Sequence, residues 1–357
     1  MARVPPQRAR PGDAGGRGRR TVSATHPVSV AGARPAHAWR LAERLPLLVT
    51  LALFVAMSAA GGVLYDGFLS PQVFLNLLID NAFLCIVAVG LTFVILTGGI
   101  DLSVGAVIAF TSVLSAALVQ RHGWHPLAAI PLVLALGTGF GALMGVLIRR
   151  YRLQPFVVTL AGMFLARGAA TLISVDSINI EHPAYVAIAA LRIPVGGGAS
   201  LSFGALLALA VVAGGVALAR LTRFGRTVYA IGGNEQSAWL MGLPVGSTLV
   251  GVYALSGFCS ALAGVVYTFY MLSGYSQHAM GLELDAIAAV VIGGTLLSGG
   301  KGHVLGSLVG VLILGLIQTL IVFDGTLSSW WTRIAIGVLL LAFCLLQRLL
   351  VARHGGA

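Results

Sequence analysis

Asp101 is the first residue with chemistry to offer. It follows Gly98-Gly99-Ile100 and precedes Leu102-Ser103-Val104, between two strongly apolar runs. An ionised carboxylate inside a bilayer costs several kcal/mol unless it is paired or wet, so it marks a functional site by default. The same residue at a helix start can instead cap the helix by accepting its free amide protons. Both readings stand on sequence alone, and both can hold where a half-helix starts beside a cavity. Arg167 lies within another apolar run and must snorkel or pair, with Asp101 and Asp285 as partners to consider. Glu283 and Asp285 open a further apolar run, where acids suit the positive end of the helix dipole. Gly98, Gly99, Asp101, Ser103, Arg167 and Asp285 are therefore the candidate pathway or helix-break residues.

Catalytic chemistry finds little support. Ser298–His303 (SGGKGH) invites comparison with the phosphate-binding loop G-x-x-x-x-G-K-[ST]. Thr295 stands at the first glycine position and Gly302 at the hydroxyl position, so the match fails twice. His182, His278 and His303 are scattered, and Cys85, Cys259 and Cys344 lack metal-ligand spacing. The expectation is a chain with no catalytic residues, no metal and no cofactor of its own.

The elements that must position these residues are membrane helices. Of 357 residues, 58% are hydrophobic and 9% charged, against roughly 25% charged in soluble domains. Glycine is abundant, with 47 residues, which lets helices approach closely in lipid. Spans of about 20 residues fit roughly 45–64, 82–98, 102–119, 126–148, 155–174, 201–219, 246–271, 284–298, 303–322 and 330–350. Residues 72–81 suit an interfacial or re-entrant helix. The expected fold class is all-α, a polytopic membrane protein of about ten transmembrane helices. A basic, disordered tail (1–44) precedes the membrane domain (45–350), and a short tail (351–357) follows. Arg149, Arg150, Arg152, Arg220, Arg223, Arg226, Lys301 and Arg348 fall on the side of the Arg-rich N-terminus. This places both termini in the cytoplasm. The net charge of +11 sits in loops and tail, so lipid rather than nucleic acid is the expected partner.

Two glycine ladders, Gly137/Gly141/Gly145 and Gly302/Gly306/Gly310, place flat grooves on helices, for sliding or for static packing. Thr97–Gly105 (TGGIDLSVG) and Ser298–Gly306 (SGGKGHVLG) echo one another. Glycine-interrupted helices in two halves point to transport sites, although both breaks face one side and do not fit a simple inverted repeat.

Residues 222–243 form a long polar interruption between spans. Asn234 is a good N-cap and Glu235 suits the first turn. Gly242 and Pro244 terminate a helix of about 235–241. Its apolar Trp239, Leu240 and Met241 lie either on the bilayer surface or in a groove of a cytoplasmic protein, with Arg223 and Arg226 at the rim.

Four segments carry a resemblance: TGGIDLSVGAVIAF (97–110), PFVVTLAGM (155–163), TRFGRTVYAIGGN (222–234) and AIAAVVIGGTLLSGGKGHVLGSLVG (286–310). In this order, over about 45–350, the chain resembles the ribose-type sugar ABC importer permeases of bacteria. HPAYVAI (182–188) and FDGTLSSWWT (323–332) look closest to permeases of galactofuranose importers. The resemblance implies an inner-membrane permease that pairs with a second permease chain. It also implies that the 222–243 loop binds an ATPase subunit, which uses ATP and magnesium, and that a periplasmic sugar-binding protein delivers sugar. The long basic tail and the charge of Lys301 depart from the family pattern. Two other classes remain to be weighed. One is an ion-coupled secondary transporter using Asp101 as a proton site. The other is a polytopic membrane enzyme, for which no cluster of catalytic residues is visible.

Overall fold

Prolines and polar caps set where many of the helices begin. The structure, a computed structural model, describes residues 36–328 and 330–355. Residues 1–35 of the expected tail lie outside these residues, and α1 (Ala36–Leu64) begins at Ala36. Pro71, Pro126, Pro155 and Pro183 open α2 (Pro71–Asp80), α5 (Pro126–Tyr151), α6 (Pro155–Ile173) and α7 (Pro183–Ala190). The missing proline N–H would have had no helical partner at that position anyway. Ser202, Thr222 and Asn234 accept backbone amides at the starts of α8 (Phe203–Leu221), α9 (Arg223–Gly233) and α10 (Glu235–Leu240). Gly242, at φ 75°, ends α10. Leu243 N–H returns to the Ala238 carbonyl at 3.1 Å, as a Schellman closure requires.

The remaining helices are α3 (Ala82–Leu96), α4 (Val104–Ala116), α11 (Val245–Met271), α12 (Leu282–Ile292), α13 (Val304–Asp324) and α14 (Trp330–Gly355). A π turn, Ala117–Arg121, extends α4. Among the described residues, seven helices are long and apolar enough to cross a membrane. An eighth crossing forms if α2 and α3, bent by 59°, count as one, and Trp330–Leu345 is a further apolar stretch. The expected all-helical polytopic architecture holds. Two spans differ: the one expected at 82–98 is α3, of 15 residues, which reaches crossing length only with α2, and the segment expected at 284–298 contains only α12, of 11 residues. At 1.5 Å per residue, about 17 Å of helix falls short of a hydrocarbon core of about 30 Å. The glycine-rich residues 293–302 complete that passage without helix. Of the segment expected to be an interfacial or re-entrant helix, residues 72–80 form most of α2 and Asn81 follows as its cap.

Helices α3, α4 and α11 make the centre. In the Val104–Arg121 stretch 78% is buried, against 28% for each of α5, α6 and α8. Their exposed apolar side chains, such as Leu143, Phe164 and Leu206, are those of lipid-facing helices. The Gly137/Gly141/Gly145 ladder packs on α11, but only Gly306 and Gly310 of the second lie on α13; Gly302 sits in the turn before it at φ 156°. Gly141 lies where a Cβ would overlap the Tyr253 carbonyl of α11, and Gly310 where one would overlap the Ala289 carbonyl of α12. Without side chains, α5 closes on α11 and α13 on α12 at backbone distance.

One end of the bundle carries β1 (Ile178–Asn179) paired antiparallel with β4 (Ser273–Gly274). It also carries α7 and the hairpin of β2 (Arg192–Gly196) with β3 (Ala199–Ser202). The other end gathers residues 149–153, α9, α10 and the 296–302 turn. The excess of Lys and Arg there makes it the cytoplasmic end by the positive-inside rule.

Candidate functional site

The TGGIDLS segment leaves α3 at Thr97 and reaches α4 at Val104. Gly98 takes φ 79°, a left-handed conformation that glycine adopts without strain. Gly99 lies where any Cβ would overlap the Tyr253 hydroxyl. The Ile100 carbonyl accepts from Thr159 of α6 at 3.2 Å.

Asp101 is fully buried. Its Oδ1 accepts from the Ser103 amide at 2.9 Å and from the Ser103 hydroxyl at 2.6 Å. Its Oδ2 accepts from Ser256 of α11 at 2.7 Å. The first pair turns the chain into α4, and the third bond ties that turn to the central helix. Hydrogen bonds to a charged group contribute about 1.5–3 kcal/mol each, the scale needed to offset burial of a carboxylate. The Tyr253 hydroxyl nearby is buried without a hydrogen-bond partner. Its three bonds make Asp101 a joint between the α3–α4 turn and α11.

Arg167 reaches neither Asp101 nor Asp285. Its Nη1 donates to the carbonyls of Ser276 and His278 at 2.8 and 2.7 Å, clamping the turn between α11 and α12. The sequence considered only carboxylates as partners, because a backbone carbonyl exposed by a non-helical turn leaves no mark in composition. Asp285 pairs with Arg333 of α14 at 2.7 Å, and the arginine is half exposed. Glu283, also in the first turn of α12, lies against Gly105.

At the Lys- and Arg-rich end, the residues of the 222–243 segment fall into two sets. Ala238 is buried with Ile231 and Val245, which holds α10 to the bundle. Trp239, Leu240 and Met241 are 63%, 70% and 68% exposed. Arg223, Arg226, Asn234 and Glu235 are also exposed. Asn234 Oδ1 accepts from Ser237 N at 2.8 Å, capping α10. Sequence reading missed α9 altogether. Phe224, Val228 and Ile231, at i, i+4 and i+7, were the available signal.

The two glycine breaks meet under α9. Gly300 N donates to the Leu96 carbonyl at 2.9 Å, joining the end of α3 to the 296–302 turn. A Cβ on Gly232 would overlap both atoms of that bond. Sequence showed that the breaks resemble one another, and the structure brings them together. Lys301 sits exposed on the same turn.

Comparison with known proteins adds the family context. A family model described as "Branched-chain amino acid transport system / permease component" matches residues 73–344. The chain is 55% identical over 306 residues to the inner membrane ABC transporter permease protein YjfF of Escherichia coli K12, covering 86% of this chain and 92% of that one. It is 40% identical to the fructose import permease protein FruG of Bifidobacterium longum, covering 88% and 93%. It is 39% identical to the ribose import permease protein RbsC of Bacillus subtilis, covering 84% and 91%. None of these three is named for galactofuranose. No solved structure matches the chain significantly.

Proposed function

The chain belongs to the permease-component family of branched-chain amino acid transport systems, as a non-catalytic, inner-membrane ABC permease subunit, and we propose that it carries a monosaccharide inward. It is the permease of a carbohydrate importer. The sugar proposed is galactofuranose or a related monosaccharide, on the strength of the 182–188 and 323–332 segments. A second permease chain, identical or related, completes the pathway. A periplasmic binding protein presents the sugar at the end formed by α7 and the β2–β3 hairpin. A cytoplasmic ATPase consumes ATP and magnesium and docks on α9–α10.

The observation that carries this reading is the exposed Trp239-Leu240-Met241 group on a helix closed at both ends, directly after α9 with its exposed Arg223 and Arg226. Apolar clusters of this kind on polar loops mark protein partners, and buried aromatics dominate binding at such contacts. The enclosure of Asp101 by Ser103 and Ser256 leaves it poorly placed as the proton site of a secondary transporter.

The test is reconstitution. Proteoliposomes receive the permease, with and without a cognate ATPase subunit and binding protein, and radiolabelled galactose, ribose, fructose and arabinose. Uptake should require all the subunits and ATP, and should persist when an uncoupler collapses the proton gradient. Accumulation by the permease alone, or its loss with the proton gradient at constant ATP, would overturn the importer reading.

A further inference from the structure

We propose that Tyr229 and Gly232 of α9 are positioning residues that pass displacement of the cytoplasmic segment into both glycine breaks at once. This rests on the importer reading. Three backbone segments converge at one point: the end of α3, the 296–302 turn and α9. The Gly300 N to Leu96 O bond joins the first two. Gly232 lies flat over that bond, with no room for a side chain. Three residues earlier on α9, the Tyr229 hydroxyl donates to the Gly302 carbonyl at 2.9 Å. A Cβ on Gly299 would press on Gly98 N, so the breaks also touch directly.

The segments they join are the places where this bundle can bend. Gly98, Gly299, Gly300 and Gly302 take φ of 79°, 84°, 75° and 156°, conformations that favour glycine. Neither 98–103 nor 293–303 carries the i to i−4 ladder that stiffens a helix. The helices on either side are closely packed in the bundle. From the first break, Asp101 leads to Ser256 on α11. From the second, the chain leads to α12 on one side and α13 on the other. A shift of α9 therefore acts on two flexible joints whose far sides are rigid helices.

The experiment measures ATP hydrolysis and uptake of radiolabelled galactose together, in proteoliposomes holding the complete complex. If the unmodified complex prefers ribose, fructose or arabinose, that sugar replaces galactose. Tyr229→Phe removes one hydroxyl. It should lower sugar moved per ATP by roughly two- to tenfold, the equilibrium change one net hydrogen bond supplies, with ATPase binding and thermal stability unchanged. Gly232→Ala should nearly abolish uptake while hydrolysis continues. Gly233→Ala, at the neighbouring position with open space, should behave as the unmodified chain. An unchanged ratio in Tyr229→Phe and Gly232→Ala would overturn the proposal. So would hydrolysis and uptake falling in step with membrane abundance, which would mark both residues as merely structural. Failure of the unmodified chain to bind the ATPase would overturn the importer reading itself, and the proposal with it.

Discussion

Ser256 of α11 donates its hydroxyl to Asp101 across 155 positions of sequence, at 2.7 Å, with both residues buried. That bond joins a loop between two helices to the helix at the centre of the bundle. It gives Asp101 two structural tasks, turning the chain into α4 and holding that turn in place.

Asp101→Asn should preserve both tasks in large part. The amide oxygen still accepts from Ser103, and the Ser256 hydroxyl can rotate to accept from the amide nitrogen. Asp101→Ala strands the Ser103 and Ser256 donors and should cost about 1–3 kcal/mol. Thermal unfolding in detergent, beside uptake, measures both. Loss of transport in Asp101→Asn at normal stability would show that the charge itself is needed.

Trp239→Ala should release the ATPase in a pull-down while the permease still reaches the membrane. A central buried aromatic typically carries about 2 kcal/mol or more of binding. Arg223→Ala, at the rim, should weaken assembly much less and chiefly alter its salt dependence. If Trp239→Ala leaves assembly intact, α10 rests on the bilayer and the ATPase docks elsewhere.

Gly141→Ala and Gly139→Ala make a matched pair. Gly141 packs on backbone atoms of Tyr253 and Gly257, whereas Gly139 faces open space. Overpacking at Gly141 should cost about 1–3 kcal/mol, and alanine at Gly139 should be neutral or mildly stabilising. Equal melting temperatures for the two variants would show that α5 does not need to close on α11.

Arg167→Met and Arg333→Met should differ in size. Arg167 holds two carbonyls of a tight turn, so its loss should lower stability by about 1–3 kcal/mol and impair uptake. Arg333 makes a half-exposed pair with Asp285, a class that typically contributes about 1 kcal/mol or less. Parallel melting curves and uptake assays of the two variants check the ranking. A larger loss at Arg333 would move the functional weight to the α12–α14 contact.

Sequence by itself determined the solvent of this protein and the ends of many of its helices. Composition alone requires lipid, and Pro126, Pro155, Asn234 and Gly242 act on the backbone within a few residues of themselves, so their effect is legible where they stand. The exposed Trp239-Leu240-Met241 group was legible for the same local reason. Only the tertiary structure decided what meets what. Arg167 found the carbonyls of Ser276 and His278 instead of Asp101 or Asp285. The segment at 284–298 became a short helix and a glycine turn. The two glycine breaks joined through Gly300 and Leu96 beneath Gly232. Each outcome depends on close approach between residues far apart in the chain, and a glycine or a backbone carbonyl carries no side-chain signal naming its distant partner.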